Sequence, residues 1–375
     1  MYLASIKSKF MLTETIVTTR SKTILVAPLN WGLGHATRCI PIIRALLEHN
    51  YQPIIASDGA ALLLLQSEFP DLKTLELPSY EIEYATKAKN FKWHLLKNSW
   101  KTLKAIRKEK ALVKKWIATY GIDGIISDNR LGVYNKNIPS AYLTHQIQVL
   151  SGQTTWLSSK IHQYFAFQHN ECWIPDHAST NNLSGILGHI DDFEHKLKYI
   201  GPISRLHKKL VPKKYDLLVL LSGPEPQRSM LEVHLLQELK GFEGTILFVA
   251  GTVTIQQKFS QLGKIEYHNF MTTCQLEQAI NESEMVLCRS GYTSIMDLSV
   301  LRKKAFFIPT PGQFEQEYLA QKLEKEGLVP FSTQNEFCLA NLQEVDHYKG
   351  LPKADSKVAW EKLFGLFEEK NDLQL

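Results

Sequence analysis

The 375-residue chain is short of the features that mark secreted, zinc-stapled or membrane-spanning proteins. Its five cysteines (Cys39, Cys172, Cys274, Cys288 and Cys338) are odd in number and never spaced Cys-x-x-Cys. That argues against a disulfide framework or a structural zinc site, and for a reducing compartment. No apolar run approaches the roughly 18 residues that a bilayer-crossing helix needs. Met1 to Lys22 holds no signal-peptide core, so a cytoplasmic protein is expected. Low-complexity tracts are missing. So is a Gly-x-Gly-x-x-Gly after a strand with its following acid, which counts against a NAD-linked enzyme.

What is present reads as a globular α/β protein. Hydrophobic residues make up 44% of the chain and charged ones 22%, the balance of an ordinary soluble fold. The length suggests two domains, because single cores stop growing before this size.

Two stretches carry the chemistry, and both run strand, glycine turn, helix. In the first, the apolar strand Thr23–Ala27 leads into Pro28-Leu29-Asn30-Trp31-Gly32-Leu33-Gly34-His35. A helix over 36–49 follows, apolar at Ile40, Ile43, Leu46 and Leu47. In the second, the strand Met285–Cys288 meets Arg289, Ser290 and Gly291. A helix over Ser294–Leu301 follows, then a strand over Ala305–Ile308 and a polar helix from Phe314 to Glu326. Helices that begin where parallel strands end form the edge at which open α/β sheets bind ligands.

A helix N-terminus offers unpaired N–H groups and partial positive charge, which suits a phosphate. Gly291 permits close approach, Ser290 adds a hydroxyl, and Arg289 is a candidate counter-charge. The same turn also fits a simple helix cap, with Ser294 and Asp297 as a capping box. His35, at the mouth of the first helix, is the candidate general base. A helix N-terminus favours the neutral imidazole, though a purely structural role stays open. Arg38, one turn on, is solvated or paired. The strands Ile122–Ser127 and Ser140–Leu143 end in polar triplets, 128–130 and 144–146, that should face the same edge. Asp128 there orients a base or caps the next segment, and His145 is a second-choice base.

Thr86–Trp116 holds 11 Lys or Arg against one acid, Glu109, with Phe91, Trp93, Trp100 and Trp116 interleaved. Leu96, Trp100, Leu103, Ile106, Val113 and Ile117 share a helical face. The segment is either a helix packed on its own sheet or a surface for anionic lipid. No nucleic-acid-binding motif accompanies it.

The order of these parts resembles GT-B glycosyltransferases. It is most similar to the MurG type, the peptidoglycan N-acetylglucosaminyltransferases, and more loosely to the UDP-glycosyltransferase group. The resemblance implies two Rossmann-like domains facing a cleft. Residues 22–203 would bind the acceptor, 204–214 would be an exposed linker, and 215–350 would bind the nucleotide sugar. Residues 351–375 would supply a helix returning to the first domain. On the donor side it implies Ser222, Gly223, Arg228, Arg289, Ser290 and Gly291 at the diphosphate, with Tyr292 also donor-binding. Phe270 and Met271 would lie at the base, Asp297 at the ribose, and Gln313, Gln316 and Glu317 at the sugar. Gly32, Gly34, Asp128 and His145 fall on the acceptor side. Prolines 224 and 226 stand where the family's loop has further glycines, and Gln316-Glu317 replaces its Gln pair.

An Asp-x-Asp triplet for a divalent metal is missing, so a metal-independent, inverting transfer with His35 as base is expected, with no cofactor. The donor would be UDP-linked, perhaps a UDP-N-acetylhexosamine. The acceptor would be a hydroxyl compound, perhaps lipid-linked at the inner membrane face. A nucleotide-sugar 2-epimerase on the same fold and a non-catalytic nucleotide-sugar-binding subunit stay open as alternatives.

Overall fold

The structure, a computed structural model, describes residues 20–80, 91–190, 196–252, 256–353 and 358–368, without the side chains of 91–100. The first half begins with β1 (Thr23–Pro28), α1 (Gly34–Glu48), β2 (Gln52–Ser57), α2 (Gly59–Glu68) and β3 (Thr74–Glu76). It continues through α3 (Phe91–Tyr120), β4 (Ile122–Asp128), β5 (Ser140–Leu143), α4 (Thr155–Ala166), β6 (Glu171–Ile174) and β7 (Leu197–Tyr199). Its seven strands pair in the order β3-β2-β1-β4-β5-β6-β7, all parallel. Parallel strands are covered on both faces, which is why Ile24 to Ala27 and Ile125 to Ile126 are apolar without alternation.

The second half runs β8 (Tyr215–Leu220), α5 (Gln227–Glu238), β9 (Ile246–Val249), β10 (Phe259–Leu262) and β11 (Ile265–His268). Then come α6 (Thr273–Glu282), β12 (Ser283–Cys288), α7 (Tyr292–Leu301), β13 (Lys304–Phe307), α8 (Phe314–Lys325) and α9 (Trp360–Glu368). The strand order is β10-β11-β9-β8-β12-β13, parallel except for the β10–β11 pair at the edge. The expected pair of Rossmann-like sheets is therefore present.

In each sheet the order reverses beside the first strand, between β1 and β4 and between β8 and β12. The crevice at such a switch point is where ligands enter. Asp128 ends β4 at the first one, while Ser222–Gly223 and Arg289–Gly291 follow β8 and β12 at the second.

α9 packs on the first half, as expected of a returning helix. Leu363, Phe364 and Phe367 are buried, with Phe364 edge-on to Tyr51 at 5.5 Å and Phe367 to Trp173 at 6.4 Å. Lys22 Nζ donates to the Phe367 carbonyl at 2.6 Å and Tyr51 Oη to Glu368 at 2.6 Å. The linker is exposed from His207 to Lys214 apart from half-buried Val211, but Leu206 is buried and Asn281 binds the backbone of His207 and Lys209.

Two local expectations differ. α7 starts at Tyr292 with Gly291 as its uncapped N-cap, so Ser294 and Asp297 form no capping box. On α3, Ile106 and Val113 are buried as expected and Ile117 half-buried, but Leu103 is 42% exposed, and Trp116, off that face, is buried. Its lone acid, Glu109, turns inward to Arg130 Nη1 at 3.0 Å and Tyr80 Oη at 2.7 Å. Residues 86–90 and the side chains of Phe91, Trp93, Leu96 and Trp100 lie outside the described residues.

Candidate active site

The N-termini of α1 and α7 meet. Thr293 Oγ1 lies 3.4 Å from the Gly34 carbonyl, and a Cβ at Gly34 would sit 2.9 Å from that hydroxyl. Only a glycine at 34 lets the two helix mouths come this close.

On the first-half side, His35 Nδ1 lies 2.8 Å from Asp128 Oδ1. Asp128 thus orients the imidazole rather than capping the next segment. Arg38 grips the same carboxylate with two prongs, Nε to Oδ2 at 2.6 Å and Nη2 to Oδ1. It is buried and paired, not solvated. Burial works against the Asp128 charge, yet Arg38 and His35 pull its carboxyl down to about 2. Burial is also the largest influence on His35 and lowers its pKa. Asp128 pulls the other way, and Arg38 and His145 add to the lowering. The imidazole is therefore neutral in the neutral pH range, with Nδ1 turned to the carboxylate, the state a general base requires.

His145 does not approach the cleft as a free base. Arg38 Nη1 donates to its Nδ1 at 2.9 Å, which puts the ring proton on Nε2, facing Glu315 Oε1 at 2.9 Å. Gln146 Nε2 donates to the other Glu315 oxygen. A continuous polar chain thus runs from α8 of the second half to His35.

On the donor side the turn at Ser290 and Gly291 is built as expected, but its side chains are assigned differently. Nothing lies within 4 Å of where a Gly291 Cβ would stand. Ser290 Oγ donates to the Gln316 carbonyl at 2.8 Å. The Arg289 guanidinium turns inward, donating to the carbonyls of Ile308, Pro309 and Gln227 and to Gln334 Oε1 at 2.8–3.1 Å. With no carboxylate partner there, burial lowers its pKa to about 10. Its Nε and the Thr310 hydroxyl are both buried, without a partner among the described residues. They lie 4.0 and 3.4 Å from the position a Gly223 Cβ would take, and Gly223 has φ +110°. Two orphaned donors around a backbone that excludes a side chain make a cradle for an anion.

The remaining donor-side expectations diverge. Arg228 is spent on Glu225 and Glu232 at 2.6 Å each and on the Ala250 carbonyl, leaving no fork for a phosphate. The Phe270 carbonyl accepts from Gln257 at 2.8 Å, just before the Thr272 cap of α6. Asp297 accepts from Ser204 of the linker at 2.5 Å, and burial pushes its carboxyl up to about 6. Gln316 bonds the Thr310 N–H and Gln313, and Glu317 the Gly312 N–H, so both brace their own loop. Glu315 is the side chain that crosses the gap. Helical phase decides which of three neighbours does so, and no local signal marks it in the sequence. Arg38 was legible, since residues three apart share a helix face. Tyr292 turns away from the donor turn, stacking on His145 and donating to the Pro175 carbonyl at 2.9 Å.

Gly32, with φ +69°, shapes the loop before α1. A wide-open hollow of about 590 Å³ lies beside that loop, with a mixed lining that includes Asn30, Asp58, Glu76, Leu77, Lys108 and Leu112. Asp58 there is neutralised from behind by buried Arg130. Among the described residues no group of three or more His, Cys, Asp or Glu is placed to hold a metal ion.

Residues 229–348 match the model of the glycosyltransferase family 28 C-terminal domain. In sequence the chain is 21% identical over 296 residues to the UDP-N-acetylglucosamine–N-acetylmuramyl-(pentapeptide) pyrophosphoryl-undecaprenol N-acetylglucosamine transferase of Haemophilus ducreyi. The match covers 71% of this chain and 78% of that one. Acinetobacter baumannii MurG superposes with a TM-score of 0.57 at 12% identity, over 93% of this chain and 100% of that one. The glycosyltransferase SnogD from Streptomyces nogalater gives a TM-score of 0.62 at 10% identity, over 93% and 100%. At such identities the structural likeness speaks for the fold, and the family match for the chemistry. The chain is a glycosyltransferase of GT-B architecture, with a family 28 C-terminal domain in its second half.

Proposed function

We propose that the chain transfers a sugar from a nucleoside diphosphate sugar, UDP-linked by analogy with its relative, to an acceptor hydroxyl with inversion. The observation that carries this is the meeting of the α1 and α7 mouths. That contact brings the His35–Asp128 pair beside the α7 N-terminus, and the Gly223–Thr310–Arg289 cradle lies just past the ends of β8, β12 and β13 in the same half as α7, which supports this reading. His35 Nε2 takes the acceptor proton while the acceptor oxygen attacks the anomeric carbon. The bond from that carbon to the diphosphate breaks, and UDP leaves with the electron pair. Asp128 steadies the imidazolium. The α7 N-terminus, the Arg289 charge and the Thr310 hydroxyl receive the diphosphate, so the leaving group is neutralised by the protein itself and no metal is required.

The acceptor would enter by the cavity beside Asn30. A lipid-linked acceptor, of the kind named for the Haemophilus ducreyi relative, is supported by the surface next to that cavity. Lys104, Arg107, Lys108 and Lys114 are exposed on α3. Alongside, α4 bares Trp156 (72% exposed), Tyr164 (63%) and Ile161 (50%). Phe165 of α4 packs against the cluster of Leu29, Tyr80, Ala105 and Ile106, the last two from α3. Aromatic and aliphatic groups beside a cationic face suit an anionic bilayer.

Release of UDP from a panel of UDP sugars, with candidate acceptors present or withheld, tests the proposal. Acceptor-dependent release that His35→Ala abolishes, with UDP binding retained, is expected. Conversion to an isomeric sugar without any acceptor would instead indicate an epimerase, and UDP binding with no turnover a non-catalytic subunit.

A further inference from the structure

We propose that Arg38 is a positioning residue that locks Asp128 and His35 together and ties them, through His145, to Glu315 of the second half. This rests on His35 being the base. A fold staple would need only the two-pronged grip on Asp128. Arg38 also donates from Nη1 to His145 Nδ1 at 2.9 Å, and its Nη2 stands 2.7 Å from His35 Nδ1, the two N–H groups sharing Asp128 Oδ1. Among the described residues it is therefore the one group that approaches the proposed base, the residue orienting it, and the residue reaching the donor half.

The charges that face His35 come from four elements. Arg38 lies on α1, Asp128 ends β4, His145 follows β5, and Glu315 opens α8. Uncharged Asn129 lies 3.5 Å from Nδ1. With Arg38 in place the Asp128 charge is shared, so a proton on His35 gains only part of the carboxylate's attraction and meets a guanidinium. Without Arg38 the carboxylate turns wholly to the imidazole, which then holds its proton in the neutral range and cannot take one from the acceptor. Gln146 donates to Glu315 as well, so the contact that Arg38 reaches through His145 is held from two sides.

The test follows His35 by NMR of histidine-labelled protein without substrate, and the pH profile of kcat/KM for UDP release, in wild type, Arg38→Lys and Arg38→Gln. In Arg38→Gln the His35 midpoint should rise by about one unit or more, and the acid limb of kcat/KM should move with it. At pH values below both midpoints, kcat/KM would fall about tenfold for each unit of that rise, and the loss would vanish at higher pH, one unit being a factor of ten in protonation. Arg38→Lys, keeping the charge without the fork, should fall between. Equal loss of activity at every pH with an unmoved midpoint would make Arg38 a fold staple and overturn the proposal. Should Arg38→Gln not fold, Arg38→Lys decides, an unmoved midpoint and limb overturning it. Should His35→Ala still turn over while the Arg38 variants shift the His35 midpoint, the base assignment fails and the Arg38 contact stands.

Discussion

His145 of the first half lies flat on Tyr292 of the second, ring centroids 4.4 Å apart and planes 3° from parallel. Tyr292 is the first residue of α7, so the stack fixes the donor-side helix mouth against the strand end that carries the base network. Stacked aromatic pairs contribute about 0.5–1.5 kcal/mol beyond area burial. A double-mutant cycle with His145→Ala and Tyr292→Leu, read by urea unfolding, should return a coupling of that order. Additive effects within about 0.3 kcal/mol would deny the stack any role in holding the halves together.

The acid limb of the reaction is expected below the ordinary histidine range. Burial, Arg38 and His145 lower the His35 pKa against the pull of Asp128, while Asp128 itself stays ionised down to about pH 2. As the proposed base, His35 is then available throughout the neutral range. kcat/KM should be flat there and decline only as pH falls through the lowered midpoint. A limb at or above pH 6.5 would contradict the buried, neutral imidazole.

Gly223→Ala should weaken UDP binding by about tenfold or more, near 1.4 kcal/mol. The φ of +110° is costly for any residue with a Cβ. The new methyl would also stand 3.4 Å from Thr310 Oγ1, in the space assigned to the phosphate. Calorimetric titration with UDP checks this. Wild-type affinity in a folded Gly223→Ala variant would move the diphosphate elsewhere.

Much of this was legible in the sequence, and the limit has a physical form. The two strand–glycine–helix units stand out because parallel strands are apolar on both faces and their loops carry glycine. The backbone of each site, from Gly32 to His35 and from Arg289 to Gly291, followed from that. Side-chain direction did not. Arg289 and Arg228 have the composition of phosphate ligands, yet Arg289 turns inward onto backbone carbonyls and Arg228 forms ion pairs within its own half. Glu315 differs from Glu317 only by helical phase, and phase across a cleft depends on how two halves dock. α4 escaped because its exposed Trp156 and Ile161 break the rule that apolar residues mark a buried face.

A buried histidine away from the cleft sets an expectation for acid stability. His169 lies between Tyr142 and Tyr134, with neither ring nitrogen partnered among the described residues. Burial lowers its pKa from 6.5 to about 3. Because the folded pKa lies below the unfolded one, its contribution is complete above pH 6.5. It is lost progressively as pH falls toward 3, by roughly 1.4 kcal/mol per unit. His169→Phe should therefore flatten the fall of Tm between pH 6.5 and 4. An unchanged slope in the variant would place the acid sensitivity in other groups.

The surface proposed to meet a bilayer predicts a separation of two effects. Trp156, Tyr164 and Ile161 on α4 would enter the interface, while the exposed Lys and Arg of α3 would add about 1 kcal/mol each near an anionic surface. Wild-type protein should sediment with phosphatidylglycerol vesicles and much less with phosphatidylcholine vesicles. Trp156→Glu with Ile161→Glu should abolish sedimentation at low and high salt alike, because it removes the apolar contact. Lys104→Glu with Lys114→Glu should weaken it chiefly at low salt, where charge attraction is least screened. Neither pair touches His35, Asp128 or the Gly223 cradle, so turnover with a water-soluble acceptor should be unchanged. Equal sedimentation of the α4 variant and wild type would leave α4 without a membrane role, whatever α3 does.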